Sequence, residues 1–106
     1  MKLLTKEILE KLPPLYTNEG KSAEEVKVIV KFFNPFGAGT WYATEYDPET
    51  KTFFGYADLG NRNFAELGYF SLAELESLRL PGGLGVERDL HFGYDRTLAE
   101  VMKNRL

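Results

Sequence analysis

The sequence predicts an α+β fold: a mostly antiparallel sheet of four to five strands, with an N-terminal helix, a helix near 71–79 and a C-terminal helix. Three observations predict it. Runs of β-branched and aromatic residues with alternating character recur between Val26 and Phe70. Two of these runs are joined by Asp47-Pro48-Glu49-Thr50, where Asp at the first position and Pro at the second suit a type I turn and hence a hairpin. Two Ser/Thr-x-x-Glu boxes, Ser71 to Glu74 and Thr97 to Glu100, open helices after the main strand run. Hairpin-linked strands with helices gathered around them are the α+β pattern.

The elements follow in order. Thr5 caps a short helix to about Lys11, with Glu7 in its first turn favouring the helix dipole and Ile8, Leu9 and Leu12 as its apolar stripe. Pro13-Pro14 ends it, because proline lacks the amide donor and clashes with the preceding turn. Tyr16 to Glu25 is polar and reads as a loop. Val26 to Asn34 is the first strand, with Val26, Val28, Val30 and Phe32 on one face and Lys27 and Lys31 on the other. Pro35 to Gly39 connects it to a second strand, Thr40 to Tyr46, and the turn above leads to a third, Thr52 to Leu59. Gly60 to Asn63 is a turn, and Phe64 to Phe70 a fourth strand. The middle helix carries Leu72, Leu75 and Leu78 at helical spacing, and Pro81-Gly82-Gly83-Leu84-Gly85 breaks it. Val86 to Phe92 is a fifth strand, and Leu98, Val101 and Met102 are the apolar positions of the last helix.

Composition narrows the function classes. The 106 residues give room for one domain, and 43% hydrophobic with 14% aromatic content is enough to build its core. There is no cysteine, which excludes disulfides, thiolate metal sites and thiol nucleophiles. The missing disulfides, the short apolar stretch at the N-terminus and the lack of any apolar run of spanning length predict a cytoplasmic protein without a membrane partner. A net charge of −3 does not favour non-specific nucleic-acid binding, which needs a basic field to displace counterions.

Candidate sites are few. In an extended segment Glu87, Asp89 and His91 share one face, and two carboxylates with an imidazole can bind a metal or exchange protons. The plainer reading is a solvated strand face, since same-face neighbours sit roughly 7 Å apart. Arg88 lies on the opposite, apolar face, where it either pairs with a carboxylate such as Glu66 or Glu74 or anchors a ligand anion. The glycines at 82, 83 and 85 follow a helix and lack the lysine of a phosphate loop, so a helix C-cap and turn explains them. No serine sits in a nucleophile-elbow context. The residues call for no cofactor.

The aromatic pattern is the most informative functional hint. Adjacent pairs such as Phe32-Phe33, Trp41-Tyr42 and Phe53-Phe54 must point to both faces of their strands. Either helices cover both faces, or one face meets a partner. Trp41, Tyr42, Phe54 and Tyr56, with Arg88, are the candidate binding residues.

Long stretches of the chain also resemble a known family. Met1 to Glu7 followed by Leu12-Pro13-Pro14-Leu15-Tyr16, Val30 to Pro35, Thr40 to Glu45, Glu66 to Ser77 and Val86 to Phe92 are similar to motifs of the domain of unknown function 2958 family. The resemblance covers nearly the whole chain. It implies a small bacterial protein of the kind often carried by plasmids, phages and conjugative elements, and it brings no assigned catalytic residues. The resulting expectation is a non-enzymatic interaction protein of mobile elements, in an accessory or counter-defence role, that binds a host or element-encoded protein. Two alternatives stand beside it: a nucleic-acid-associated protein that stacks bases on sheet aromatics, and a small metal-dependent hydrolase centred on Glu87, Asp89 and His91. Homodimerisation through a sheet edge or an uncovered aromatic face is open as well.

Overall fold

A computed structural model describes residues 2–60 and 65–104. Helix α1 spans Lys6–Lys11, and the Thr5 side chain caps it by accepting the Ile8 N–H at 3.2 Å. Strands β1 (Val30–Phe33), β2 (Thr40–Asp47), β3 (Thr52–Asp58) and β4 (Glu66–Ser71) follow. Then come α2 (Leu72–Ser77), β5 (Glu87–Arg88) and α3 (Leu98–Asn104). The strands form one sheet in the order β4-β3-β2-β1-β5, and every pairing is antiparallel. The α+β class and the mostly antiparallel sheet expected from the sequence are what the chain adopts. No helix among the described residues is long and apolar enough to cross a membrane.

Local chemistry sets the boundaries. Asp47 accepts the Glu49 N–H at 3.1 Å and the Thr50 hydroxyl at 2.8 Å, which closes the β2–β3 turn as its sequence predicts. Ser71 accepts the Glu74 N–H at 3.3 Å. Thr97 and Glu100 form a reciprocal box: the Thr97 hydroxyl accepts the Glu100 N–H at 3.1 Å, and Glu100 accepts the Thr97 N–H at 3.2 Å. Gly82 and Gly83 sit at φ of 79° and 76° in a short 3-10 turn, and the Leu80 N–H donates to the Leu84 carbonyl at 3.0 Å. They make a chain reversal, as their left-handed backbone requires. Of the expected turn over Gly60–Asn63 and strand over Phe64–Phe70, residues 61–64 lie outside the described residues.

The sheet has a core on each face. Val30, Phe32, Ala43, Tyr46 and Phe53 pack on the first face with Leu3, Leu4, Ile8 and Leu12 from the N-terminal segment and Leu72 and Leu75 from α2. Tyr42 and Tyr56 pack on the second face with Val26, Val28, Phe92, Leu98 and Val101, the last two from α3. Helices therefore cover both faces, α1 and α2 on one and α3 on the other.

Two expectations are corrected here. The first strand is shorter than Val26–Asn34, and its four apolar residues do not share a face: Val26 and Val28 join the second core, Val30 and Phe32 the first. The reason is that residues 26–28 leave the sheet to pair with the segment entering α3. The Val28 N–H donates to the Arg96 carbonyl at 2.9 Å, and the Leu98 N–H to the Val26 carbonyl at 2.8 Å. The fifth strand shrinks from Val86–Phe92 to Glu87–Arg88, because Asp89 starts a turn in which its side chain accepts the His91 N–H at 2.9 Å.

A bulge in β2 decides which side chains reach the second face. Ala43 pairs with Gly55 but Glu45 pairs with Phe54, so Thr44 is an extra residue. The Thr44 hydroxyl donates to the Phe54 carbonyl at 3.1 Å, which satisfies a polar group that is almost fully buried. Plain alternation would send Glu45 to the side of Ala43. The bulge turns it to the side of Tyr42 and leaves Tyr46 to fill the first core.

Candidate functional site: an open groove beside strand β4

Helix α3 covers only part of the second face. Towards β4, Leu67 and Tyr69 are 45% and 56% exposed, and Tyr16 from the facing loop is 64% exposed. With the half-buried Phe54 they wall a groove of about 430 Å³ whose other borders are Glu19, Lys21, Val26 and Leu98. The Tyr69 and Phe54 rings meet edge-on at 5.1 Å between centroids, so one partly fixes the other.

Glu45 lies at the bottom of this groove and is 4% exposed. Its Oε1 accepts the Tyr16 N–H at 2.9 Å and its Oε2 the Asn18 N–H at 2.7 Å. The carboxylate thus folds the polar loop after Pro14 against the sheet, with Tyr16 held at a left-handed φ of 72°. The Pro13 carbonyl accepts the Tyr46 N–H at 2.9 Å and ties the start of the same loop to β2. The Tyr69 phenol is held above its usual pKa. The main cause is a hydrogen bond with the Tyr16 side chain, followed by partial desolvation and the nearby negative charges, Glu45 and Glu19 among them.

The sequence-derived binding residues distribute differently. Tyr42 and Tyr56 are core residues, 2% and 5% exposed, because α3 and Phe92 close over them. Trp41 is half-buried and packs against the first core. Phe54 alone of the four lines the groove. Arg88 pairs through the sheet with Phe32 and its guanidinium donates to the Lys2 carbonyl, pinning the N-terminal segment. Glu66 is out of its reach: β4 and β5 are opposite edges of the sheet, four strand spacings or about 19 Å apart.

Glu87, Asp89 and His91 border one shallow hollow together with Lys31 and Phe33. The Asp89 carboxylate is 3.8 Å from the Lys31 ammonium and also holds the turn to His91. Among the described residues no three His, Asp or Glu groups converge closely enough to hold a metal ion. The turn at Asp89 ends the alternation that would have kept His91 in line.

Sequence reasoning passed over Glu45, Tyr16, Leu67 and Tyr69. One signal was available: Glu45 is a lone carboxylate inside the run Trp41-Tyr42-Ala43-Thr44-Glu45-Tyr46, where a buried charge needs a purpose.

No curated protein and no solved structure matches the chain. A family model, Protein of unknown function (DUF2958), matches residues 3–104, and the chain belongs to that family.

Proposed function

We propose that this protein is a binding module that docks an extended segment of another protein along β4 and into the adjoining groove. The observation that carries the reading is the combination of an open, largely apolar groove with a regular strand at the end of the sheet. Strand β4 ends the sheet, and its register with β3 runs unbroken from Thr52–Ser71 to Ala57–Glu66. It contains no proline, no lysine and no bulge, devices that commonly protect an edge from added strands, and its one charge is Glu66 at the first position. An extended peptide hydrogen-bonds to such an edge through its backbone, and its alternate side chains fall on one face. On the second face they would meet Leu67, Tyr69, Phe54 and Tyr16. Such a module would serve a mobile element by engaging a host or element-encoded protein.

A nucleic-acid reading has less support. The exposed rings lie beside Glu19 and Glu45, whose charges repel a phosphate backbone.

The test is affinity capture with the native chain and with a Leu67→Glu, Tyr69→Glu double variant, followed by titration of each purified retained protein against both. A partner that binds the native chain and loses at least roughly tenfold in affinity for the variant is the expected result. Equal binding to both would place the interface elsewhere, and a second copy of this chain as sole partner would make the edge a dimer contact.

A further inference from the structure

Gly68 stands inside β4 without a reason internal to the fold. A glycine within a strand weakens it, since it gives up the most backbone freedom on folding and packs no side chain. Gly55, its partner on β3, is required: a Cβ there would sit 1.8 Å from the Tyr42 carbonyl oxygen. Nothing comparable requires Gly68. Its φ lies outside the left-handed region, and among the described residues no heavy atom beyond its chain neighbours lies within 4 Å of a Cβ built on it. The result is a notch on the first face of the sheet, between Phe70, which packs on the first core, and the exposed Glu66. A glycine in a strand often marks a place where another chain approaches closely.

The ladder decides how an added strand sits. The Leu72 N–H donates to the Lys51 carbonyl at 3.0 Å, one pair beyond Thr52–Ser71 in the same register. Antiparallel ladders alternate bonded and non-bonded pairs, so Phe70, Gly68 and Glu66 bond to β3, while the N–H and C=O groups of Leu67 and Tyr69 point outward from the edge. An antiparallel segment, which continues the pattern of the whole sheet, takes up those groups at one strand spacing, about 4.8 Å. Its residues opposite Leu67 and Tyr69 lie with those side chains on the second face. The residue between them is opposite Gly68 and points to the first face, over the notch.

Resting on the docking reading above, we infer that the notch at Gly68 is the specificity site of the edge and takes one aromatic side chain of a docked antiparallel segment. The ring lies across the Gly68 backbone and against Phe70, the arrangement by which an aromatic neighbour offsets a glycine at a sheet edge. Two residues further along the segment, the side chain opposite Glu66 is also on the first face, where the exposed carboxylate favours lysine or arginine. The segment therefore reads apolar, aromatic, apolar, basic over the positions opposite Tyr69, Gly68, Leu67 and Glu66.

The experiment uses the full chain, isotopically labelled, and two blocked peptides, acetyl-Thr-Thr-Val-Phe-Val-Lys-Thr-amide and its twin with alanine in place of phenylalanine. NMR titration gives the affinities, and amide hydrogen exchange gives the register. The amides of Leu67 and Tyr69 are expected to gain protection on docking, whereas those of Gly68 and Phe70 are bonded to β3 already. The phenylalanine peptide is expected to bind about fivefold more tightly than its twin. Gly68→Ala raises the floor of the notch by a methyl group and should cut that preference to under roughly twofold. Equal affinity of the two peptides for the native chain, with Leu67 and Tyr69 protected, overturns the notch and leaves the docking reading intact. A preference unchanged in Gly68→Ala also overturns the notch. No protection of Leu67 and Tyr69 by either peptide overturns both. If Gly68→Ala does not fold, an isomeric peptide with its phenylalanine moved one position, to face Tyr69, takes its place, and binding as tight as the first peptide's overturns the notch.

Discussion

Glu45, on β2, accepts the backbone N–H of Tyr16 at 2.9 Å although the two residues stand 29 positions apart in the chain. That bond, with its twin from Asn18, makes a buried carboxylate the anchor of the loop that forms one wall of the groove. Glu45→Ala orphans both N–H groups and should cost about 2–4 kcal/mol of stability by urea unfolding. Glu45→Gln keeps one acceptor oxygen and should cost about half as much. In both variants the Tyr16 and Asn18 amides should exchange with solvent faster than the amides of β2. Unchanged exchange at Tyr16 and Asn18 would show that the loop is held by other contacts.

The bulge that aims Glu45 depends on the residue opposite it. A Cβ built on Gly55 would sit 1.8 Å from the Tyr42 carbonyl oxygen, a backbone atom that cannot step aside. Gly55→Ala should destabilise by on the order of 3 kcal/mol. Gly68, its partner across β3 and β4, has open space around the same position, and Gly68→Ala should stay within about 0.5 kcal/mol of the native chain. Comparable losses in the two variants would count against the bulge geometry.

Tyr69 titrates above the usual phenol range, chiefly through its hydrogen bond with Tyr16. Tyr16→Phe removes that cause, so the Tyr69 phenol should ionise at lower pH in a spectrophotometric titration. The sign for stability follows from the raised value: the contribution is complete below the unfolded phenol's pKa, about 10, and is lost as pH rises through the folded one. An unchanged Tyr69 titration in Tyr16→Phe would show that burial and the neighbouring carboxylates set the shift.

Asp89 and His91 should separate cleanly. His91→Ala removes an exposed ring whose backbone alone is used, and stability should stay within about 0.5 kcal/mol. Asp89→Ala removes both the turn acceptor and the Lys31 partner and should cost about 1 kcal/mol. A loss at His91 as large as that at Asp89 would restore a role for the imidazole.

Much of the fold was readable because its signals are local. Thr5, Ser71 and Thr97 cap the helices that their spacing predicts, and Asp47 closes the expected hairpin. Those bonds span two or three residues, so sequence alone carries them. The groove was not readable because its determinants are distant. A bulge has no fixed sequence signature, and the one at Thr44 shifts the parity of every later residue in β2. The departure of Val26 and Val28 from the sheet depends on the segment near Arg96, some 68 residues on by the neighbouring Lys27–Asp95 contact. Tyr42 and Tyr56 looked like surface aromatics because nothing in their own strands reveals that α3 covers them. Helices close over the faces that Trp41, Tyr42 and Tyr56 were expected to leave open, and the exposed rings that border the groove are Tyr69 on β4 and Tyr16 in the facing loop.

The most direct test of the docking face is photo-cross-linking in the natural host, with a benzophenone amino acid placed at Leu67 in the groove or at Leu90, a still more exposed apolar residue of the turn after β5. A discrete adduct with a second protein from Leu67 and none from Leu90 is the predicted result. Adducts of equal yield from both positions, or none from Leu67, would contradict a partner docked along β4.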